Sequence, residues 1–234
     1  NCQNGYGTMY WTDGGYYVGY FSSGYLSGQG TMYYKNGERY SGQFSNGKLQ
    51  GAGTYEYENG GYFSGNWNYG ERTSGPGRSY FADGSYYYGT FDYSGNIEDG
   101  TYVYRTGSVY SGTFRSGPRR KKGTLQYVNG QTYIGSFDSS EKSDGEGKLT
   151  YIDGGIYVGE FENGLPDGEG VRVFSNGSEY SGEFDKGAIS GQGELIYPSG
   201  RLFVGQFRDG QTVYGEMFYE NGTSRTGSFY DGVW

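Results

Sequence analysis

The chain has 234 residues and a net charge of −8, and glycine (49 residues) and tyrosine (30 residues) dominate its composition. It has no histidine and one cysteine, Cys2, which argues against Ser-His and Cys-His nucleophiles, histidine-ligated metals and internal disulfides. An acidic chain is atypical of proteins that follow nucleic-acid phosphates. We therefore expect no enzyme, no cofactor, no metal site and no nucleic-acid partner.

A five-residue string, aromatic-x-Gly-x-aromatic, recurs along the chain every 22 to 24 residues. Its copies begin, in chain order, at Tyr17, Tyr40, Phe63, Tyr87, Tyr110, Tyr133, Tyr157, Tyr180 and Phe203, with a degenerate last copy at Arg225. Two units are one residue longer, with insertions in 71–75 and 138–144. Full units therefore cover 17–224, between half units at 1–16 and 225–234.

Each unit, numbered from its first aromatic residue as position 1, has the pattern of a β-hairpin. Positions 1, 3 and 5 share one strand face and are aromatic, glycine and aromatic. A second string, such as Gly28 to Tyr34, supplies another strand that ends on an aromatic residue at position 18, and Asn36-Gly37 is typical of a turn. Glycine in a strand often marks close approach by another group, so we expect rings to lie over these glycines. The pattern predicts 20 strands on a continuous aromatic core.

This pattern resembles the MORN repeat (membrane occupation and recognition nexus) over nearly the whole chain. The resemblance implies an all-β fold, an elongated, twisted antiparallel β-meander of stacked hairpins, and a single repeat domain over 1–234. It also implies a protein-binding platform or scaffold, often dimeric, and lipid headgroup binding has been proposed for the family. The units around 98–100, 121–123 and 213–215 keep only the last glycine of their Gly-x-Gly pair, so the local geometry is expected to differ there.

The strand face opposite the aromatic core, which we call the outer face, carries the strongest interaction signal. Position 17 would be polar on a merely solvated face, yet the outer face has apolar clusters towards both ends of the chain. Exposed aromatic patches mark interfaces, although aromatic and β-branched residues also simply favour strands. The predicted binding residues on this face are Tyr10, Tyr20, Tyr33, Tyr80 and Tyr88.

Basic residues cluster once, at Arg119, Arg120, Lys121 and Lys122. One interpretation is a contact with a lipid headgroup or an acidic partner. The favoured interpretation is charge pairing with acids of neighbouring loops, Glu98 and Asp99 on one side and Glu141 and Asp144 on the other, each exposed pair contributing about 0–1 kcal/mol.

The leading hypothesis is a non-catalytic interaction or scaffold module that presents an extended β-surface to a peptide or helix of a partner protein. Open edge strands also favour a homodimer. The alternatives are a carbohydrate-binding or cell-envelope domain, in which tyrosines stack on sugar rings, and a phospholipid headgroup module at Arg119 to Lys122. A cytoplasmic location is favoured, and a removed signal peptide is the alternative because the sequence begins with Asn1.

Overall fold

The structure, a computed structural model, describes residues 3–229, which form strands and turns without a helix. No membrane-spanning helix is therefore present in this range. Cys2 and residues 230–234 of the predicted last half unit lie outside the described residues. The chain divides into two compact units at the boundary between Pro118 and Arg119. The expectation of a single repeat domain stays a prediction.

The first unit is an antiparallel sheet in which strands adjacent in sequence pair with one another. Its strands are β1 (Gly5–Tyr10), β2 (Tyr16–Ser22), β3 (Tyr25–Tyr33), β4 (Arg39–Ser45), β5 (Lys48–Glu56), β6 (Tyr62–Asn68), β7 (Glu71–Arg72), β8 (Gly75–Tyr80), β9 (Tyr86–Phe91), β10 (Ile97–Val103) and β11 (Val109–Phe114).

The second unit repeats this arrangement, with each strand paired to the next. Its strands are β12 (Arg120–Gln126), β13 (Thr132–Phe137), β14 (Ser143–Thr150), β15 (Ile156–Glu162), β16 (Leu165–Val173), β17 (Glu179–Asp185), β18 (Ala188–Ile196), β19 (Leu202–Arg208), β20 (Gln211–Phe218) and β21 (Ser224–Ser228). The predicted all-β fold of stacked antiparallel hairpins is confirmed.

The described residues contain 21 strands rather than the predicted 20. The extra strand arises because the insertion in 71–75 splits one strand into β7 and β8, which both pair with β6. The Thr73 N–H donates to the Asn66 carbonyl at 3.0 Å across this break. The other insertion is absorbed in a turn, where the Asp138 N–H donates to the Lys142 carbonyl at 2.8 Å.

Two kinds of turn alternate within the repeats. Asn36-Gly37, predicted from the sequence as the hairpin turn, has positive φ only at the glycine, and the Asn36 side chain accepts the Glu38 N–H at 3.2 Å. The two-residue turns with positive φ at both central residues lie at the other strand ends, as at Ser23-Gly24 and Asn46-Gly47. These have the φ pattern of type I′ turns, whose twist matches that of the flanking strands.

The core of each of the two compact units is a zigzag of the rings at positions 1 and 5 of successive sequence repeats. In the first unit, Tyr17 contacts Phe21 and Phe44 edge-to-face, with centroids 5.3 and 5.0 Å apart. In the second unit, Tyr157 contacts Phe161 and Phe184 in the same way, at 5.2 and 4.7 Å. The tyrosines at position 1 are fully buried, and their hydroxyls donate to backbone carbonyls, as Tyr157 does to Glu160 at 2.8 Å. Burial thus leaves these phenol groups hydrogen-bonded.

The repeated glycines lie beneath these rings, as predicted. A Cβ on Gly30 would overlap the Tyr17 ring, and a Cβ on Gly193 would overlap the Tyr180 ring. Three sequence repeats lack the first glycine of the Gly-x-Gly pair. In them the remaining glycine still pairs with glycine across the strands, as Gly100 does with Gly89 and Gly112. The position that the ring covers is therefore retained in these units.

The aromatic residue at position 18 departs from the prediction that it belongs to the core. It follows the second strand rather than ending it, and it opens the turn, as Tyr34 does when its N–H donates to the Glu38 carbonyl at 2.9 Å. Tyr34 and Tyr151 are only half-buried, and Phe81 is exposed. These rings cover the strand ends because the chain turns away from the sheet at this residue.

Candidate binding surfaces

A row of stacked tyrosines lies on the outer face of the first unit. Tyr16 of β2 faces Tyr10 of β1 and Tyr33 of β3 across the sheet. Its ring stacks on Tyr33 with centroids 4.3 Å apart and on Tyr10 at 5.7 Å. Strands lie about 4.8 Å apart, so side chains in register reach stacking distance directly. Tyr10 is 76% exposed, and it opens the row to solvent.

A second row of the same construction lies on the same face. Tyr80 of β8 stacks on Tyr62 of β6 at 4.4 Å and on Tyr86 of β9 at 5.0 Å. All three side chains are half-buried. One continuous line of cross-strand pairs connects the two rows. Tyr33 pairs with Arg39, Arg39 pairs with Glu56, and Glu56 pairs with Tyr62.

An ion pair separates the two rows. Arg39 of β4 and Glu56 of β5 face each other and are bridged through their side chains. The hydrogen bond from Arg39 to Glu56 is the main reason that the arginine pKa is raised. The outer face of the first unit thus presents aromatic, charged and aromatic segments along one line.

Tyr20 and Tyr88 complete the predicted set but lie beside the rows. Tyr20 is 51% exposed and contacts Tyr6 edge-to-face at 5.2 Å. Tyr88 is 47% exposed, faces Arg78 across the sheet and lines a small cavity with Tyr80 and Tyr86. The five predicted tyrosines therefore all lie in the first unit and are all accessible to solvent.

Sequence reasoning missed the partners that complete the rows, Tyr16, Tyr62 and Tyr86. Each immediately precedes position 1 of its unit. Side chains alternate between strand faces, so the residue before position 1 lies on the outer face with positions 2 and 4. That alternation, extended by one residue, could have identified them.

The outer face of the second unit is aliphatic rather than tyrosine-rich. Val158, Val173, Val204, Ile196 and Phe218 are exposed there. Leu202 joins Ile196 to Phe218 as their cross-strand neighbour. The predicted apolar cluster towards the chain end is thus present on this surface.

The basic cluster divides into one anchored arginine and three exposed residues. Arg120 lies 3.4 Å from Glu141 Oε2, donates to the Glu141 carbonyl at 2.9 Å, and has its guanidinium 4.7 Å from the Phe137 ring centre. Arg119, Lys121 and Lys122 are exposed. The pairing of Arg120 with Glu141 agrees with the charge-pairing interpretation, and ligand binding by the cluster stays a prediction.

Comparison with solved structures returns proteins of low sequence identity. The TCP10 domain of Danio rerio CPAP is 12% identical, covers 95% of this chain and 99% of that one, and superposes with a TM-score of 0.47. The SAS-4 (dCPAP) TCP domain of Drosophila melanogaster, solved with a proline-rich motif of Ana2, is 16% identical over 66% of this chain and 85% of that one, with a TM-score of 0.41.

A virginiamycin B lyase of Staphylococcus aureus is 9% identical over 98% of this chain and 85% of that one, with a TM-score of 0.16. These superpositions carry no conclusion about function. Comparison with curated proteins gives no match.

The family model for the MORN repeat matches most of the chain. The matched residues are 3–16, 17–39, 40–62, 110–132, 142–156, 157–179, 180–200 and 203–224. Six of these segments begin at the first aromatic residue of a repeat, at Tyr17, Tyr40, Tyr110, Tyr157, Tyr180 and Phe203. Eight matches in register with the hairpins leave no other assignment, and the chain belongs to the MORN repeat family.

Proposed function

We propose that this MORN repeat chain is a non-catalytic interaction module whose outer tyrosine face binds a segment of a partner protein. The observation that carries the proposal is the pair of stacked tyrosine rows on one line of the first unit. Tyrosine supplies large contact area with a polar tip and little conformational entropy to lose, and it is enriched at interface hot spots.

The dimensions of this line suit an extended peptide. From Tyr10 to Tyr86 it crosses eight strands, which is roughly 34 Å at the usual strand spacing. About ten residues of extended chain span that length. Apolar side chains of the peptide would contact the two tyrosine rows, and its polar groups would meet Arg39 and Glu56 between them.

Ring orientation disfavours the carbohydrate alternative. Stacking on a sugar needs a free ring face, whereas the central rings, Tyr16 and Tyr80, have neighbours on both sides, which leaves only end rings such as Tyr10 for such a contact. The lipid headgroup alternative is weakened because the guanidinium of Arg120 already contacts Glu141 and Phe137. A protein segment, which packs against ring edges and hydroxyls, fits the geometry better.

The test compares three forms of the full chain as bait in a cross-linking capture. The test variant carries Tyr16→Ser, Tyr33→Ser and Tyr80→Ser, and the control carries Ile196→Ser, Val204→Ser and Phe218→Ser on the outer face of the second unit. A partner captured by wild type is then produced alone and its affinity measured by calorimetry. We expect the tyrosine variant to bind at least roughly tenfold more weakly and the control to bind normally.

The circular dichroism of each variant establishes that it is folded. A partner that binds the folded tyrosine variant as tightly as wild type overturns the proposal. The homodimer predicted from the open edge strands is tested by sedimentation of the wild type over a range of concentrations. The same measurement on the tyrosine variant shows whether self-association uses the outer tyrosine face.

A further inference from the structure

Arg172 is a charged residue in a mostly apolar series on the core-facing side of the second strands. The residues at position 16 of successive sequence repeats are Met9, Met32, Tyr55, Ser79, Tyr102, Leu125, Leu149, Arg172, Leu195 and Met217. Arg172 faces the fully buried Tyr157 and Tyr180 on the adjacent strands. A charged group here carries a desolvation cost that leucine in the neighbouring units avoids.

Two rings hold the guanidinium of Arg172 in place. Its central carbon lies 4.5 Å from the ring centre of Tyr151 and 4.6 Å from that of Phe174. Both rings belong to position 18, the half-buried aromatic residue that opens each turn. Contacts with two aromatic faces favour a cation and fix the plane of the guanidinium.

No carboxylate among the described residues forms an ion pair with Arg172, although the charge of Arg172 contributes to the lowered pKa of Asp153. Its Nε is buried without a hydrogen-bond partner among the described residues, whereas Arg39 and Arg120 are paired with Glu56 and Glu141. Asp153 forms no ion pair with Arg172 in this part of the chain, and its carboxylate accepts hydrogen bonds from Gly155 N–H at 2.9 Å and Ser175 Oγ at 3.1 Å.

Arg172 lines a cavity of about 320 Å³. Its walls include Tyr127, Ser143, Tyr151, Phe161 and Leu165 as well as Arg172. Leu165 is 46% exposed, so the cavity can be reached from solvent. The walls combine ring and aliphatic surface with the neutral polar groups of Gln131 and Ser143 and one positive group. This combination suits a short apolar stem that ends in an anion.

We propose that this cavity is a binding site for a glutamate-type side chain of a partner peptide. A guanidinium presents two parallel N–H donors that match a carboxylate. One positive charge neutralises a single carboxylate but leaves a phosphate dianion with excess charge. The site lies in the second unit on the core-facing side, so it is separate from the tyrosine rows of the first unit.

The side-chain Nε–H resonance of Arg172 gives a direct test in the full chain by NMR, and its loss in Arg172→Leu assigns it. The probe is N-acetylglutamate N-methylamide, and the matched control compound is its glutamine counterpart. We expect a saturable shift of this resonance with the glutamate compound and none with the glutamine compound. Arg172→Lys has no such resonance, so its affinity is followed by the backbone amide shifts of Tyr151 and Phe174. It should bind roughly tenfold more weakly, because lysine lacks the planar pair of donors.

Arg172→Leu is expected to fold, since Leu149 and Leu195 occupy the same position in adjacent units. Arg208→Leu, which removes one exposed positive charge from the same unit, should leave binding unchanged. An unmoved Arg172 resonance, equal shifts with the glutamine compound, or tighter binding of inorganic phosphate would each overturn the proposal. The tyrosine variant used above should bind the glutamate compound normally, so the two proposals fail separately.

Discussion

The ring of Tyr40 lies over Gly53 of the neighbouring strand, where a Cβ atom would overlap its phenol group. The ring cannot easily move aside, because it packs edge-to-face against Phe44 at 5.2 Å and Trp67 at 5.4 Å. Absence of a side chain at Gly53 is therefore what allows the fully buried tyrosine to occupy the sheet surface.

Gly53→Ala should lower the free energy of unfolding by about 3 kcal/mol, as expected for overpacking a rigid core. Gly37→Ala is the matched control, because Gly37 has a φ of +87° but open space around its Cβ position. That substitution should cost about 1 kcal/mol, from backbone strain alone. Urea unfolding of the three proteins gives the comparison, and equal losses would contradict the packing argument.

The buried tyrosines should make the fold sensitive to alkali. Burial raises the pKa of Tyr17, Tyr40, Tyr87 and Tyr133 from 10.0 to about 12. The unfolded chain then loses these protons at a lower pH than the folded chain, so stability is fully present below pH 10 and falls as the pH rises towards 12.

Absorbance of tyrosinate during a pH titration should therefore show Tyr17, Tyr40, Tyr87 and Tyr133 ionising together with unfolding. Tyr40→Phe should make the decline of stability with pH shallower. A single smooth titration of all tyrosines in a folded protein would argue against this account.

Tyr55 and Glu38 should couple stability to pH on the acid side. The Tyr55 hydroxyl donates to Glu38 at 2.6 Å, and this hydrogen bond is the main reason that the pKa of Glu38 is lowered from 4.5. The contribution is present above the unfolded pKa and is lost as the pH falls through the lower folded value.

Tyr55→Phe should thus reduce stability at neutral pH by less than about 1 kcal/mol, because solvent screens the pair, and the difference from wild type should shrink in acid. The pKa of Glu38, followed by NMR, should rise in this variant. Tyr57→Phe is the control, since the Tyr57 hydroxyl has no partner among the described residues. A pH-independent difference for Tyr55→Phe would disprove the coupling.

Arg119 and Arg120 should behave differently although they are adjacent. Arg120 contacts Glu141 and Phe137, so Arg120→Ala should destabilise the protein by about 2 kcal/mol. Arg119 is exposed, and Arg119→Ala should change stability by less than about 0.5 kcal/mol. Thermal unfolding of both variants tests this, and similar melting temperatures would show that the Arg120 contacts contribute little.

Much of the fold followed from the sequence because its determinants are local. Alternation places Tyr17 and Phe21 on one face, and the glycines at fixed spacing predict where rings can lie on bare backbone. Family membership and the all-β hairpins followed from the same pattern. Position 18 was misplaced, because whether Tyr34 ends a strand or opens a turn depends on where the chain leaves the sheet.

The binding surfaces followed only partly, because they depend on cross-strand neighbours. Tyr10, Tyr33 and Tyr80 could be predicted as exposed, but their stacking with Tyr16, Tyr62 and Tyr86 depends on the register between strands. Arg172 stands out at position 16 of the repeats, but its contacts with the rings of Tyr151 and Phe174 depend on how neighbouring repeats pack.

By itself, the sequence determined the repeat, the alternation of faces and the aromatic-glycine core, since these depend on spacing within a single strand or hairpin. Only the tertiary structure decided which tyrosines stack, that Arg39 and Arg120 pair with carboxylates, and that Arg172 lies against two rings instead. Those outcomes depend on distances between strands, which pairing register and turn geometry set.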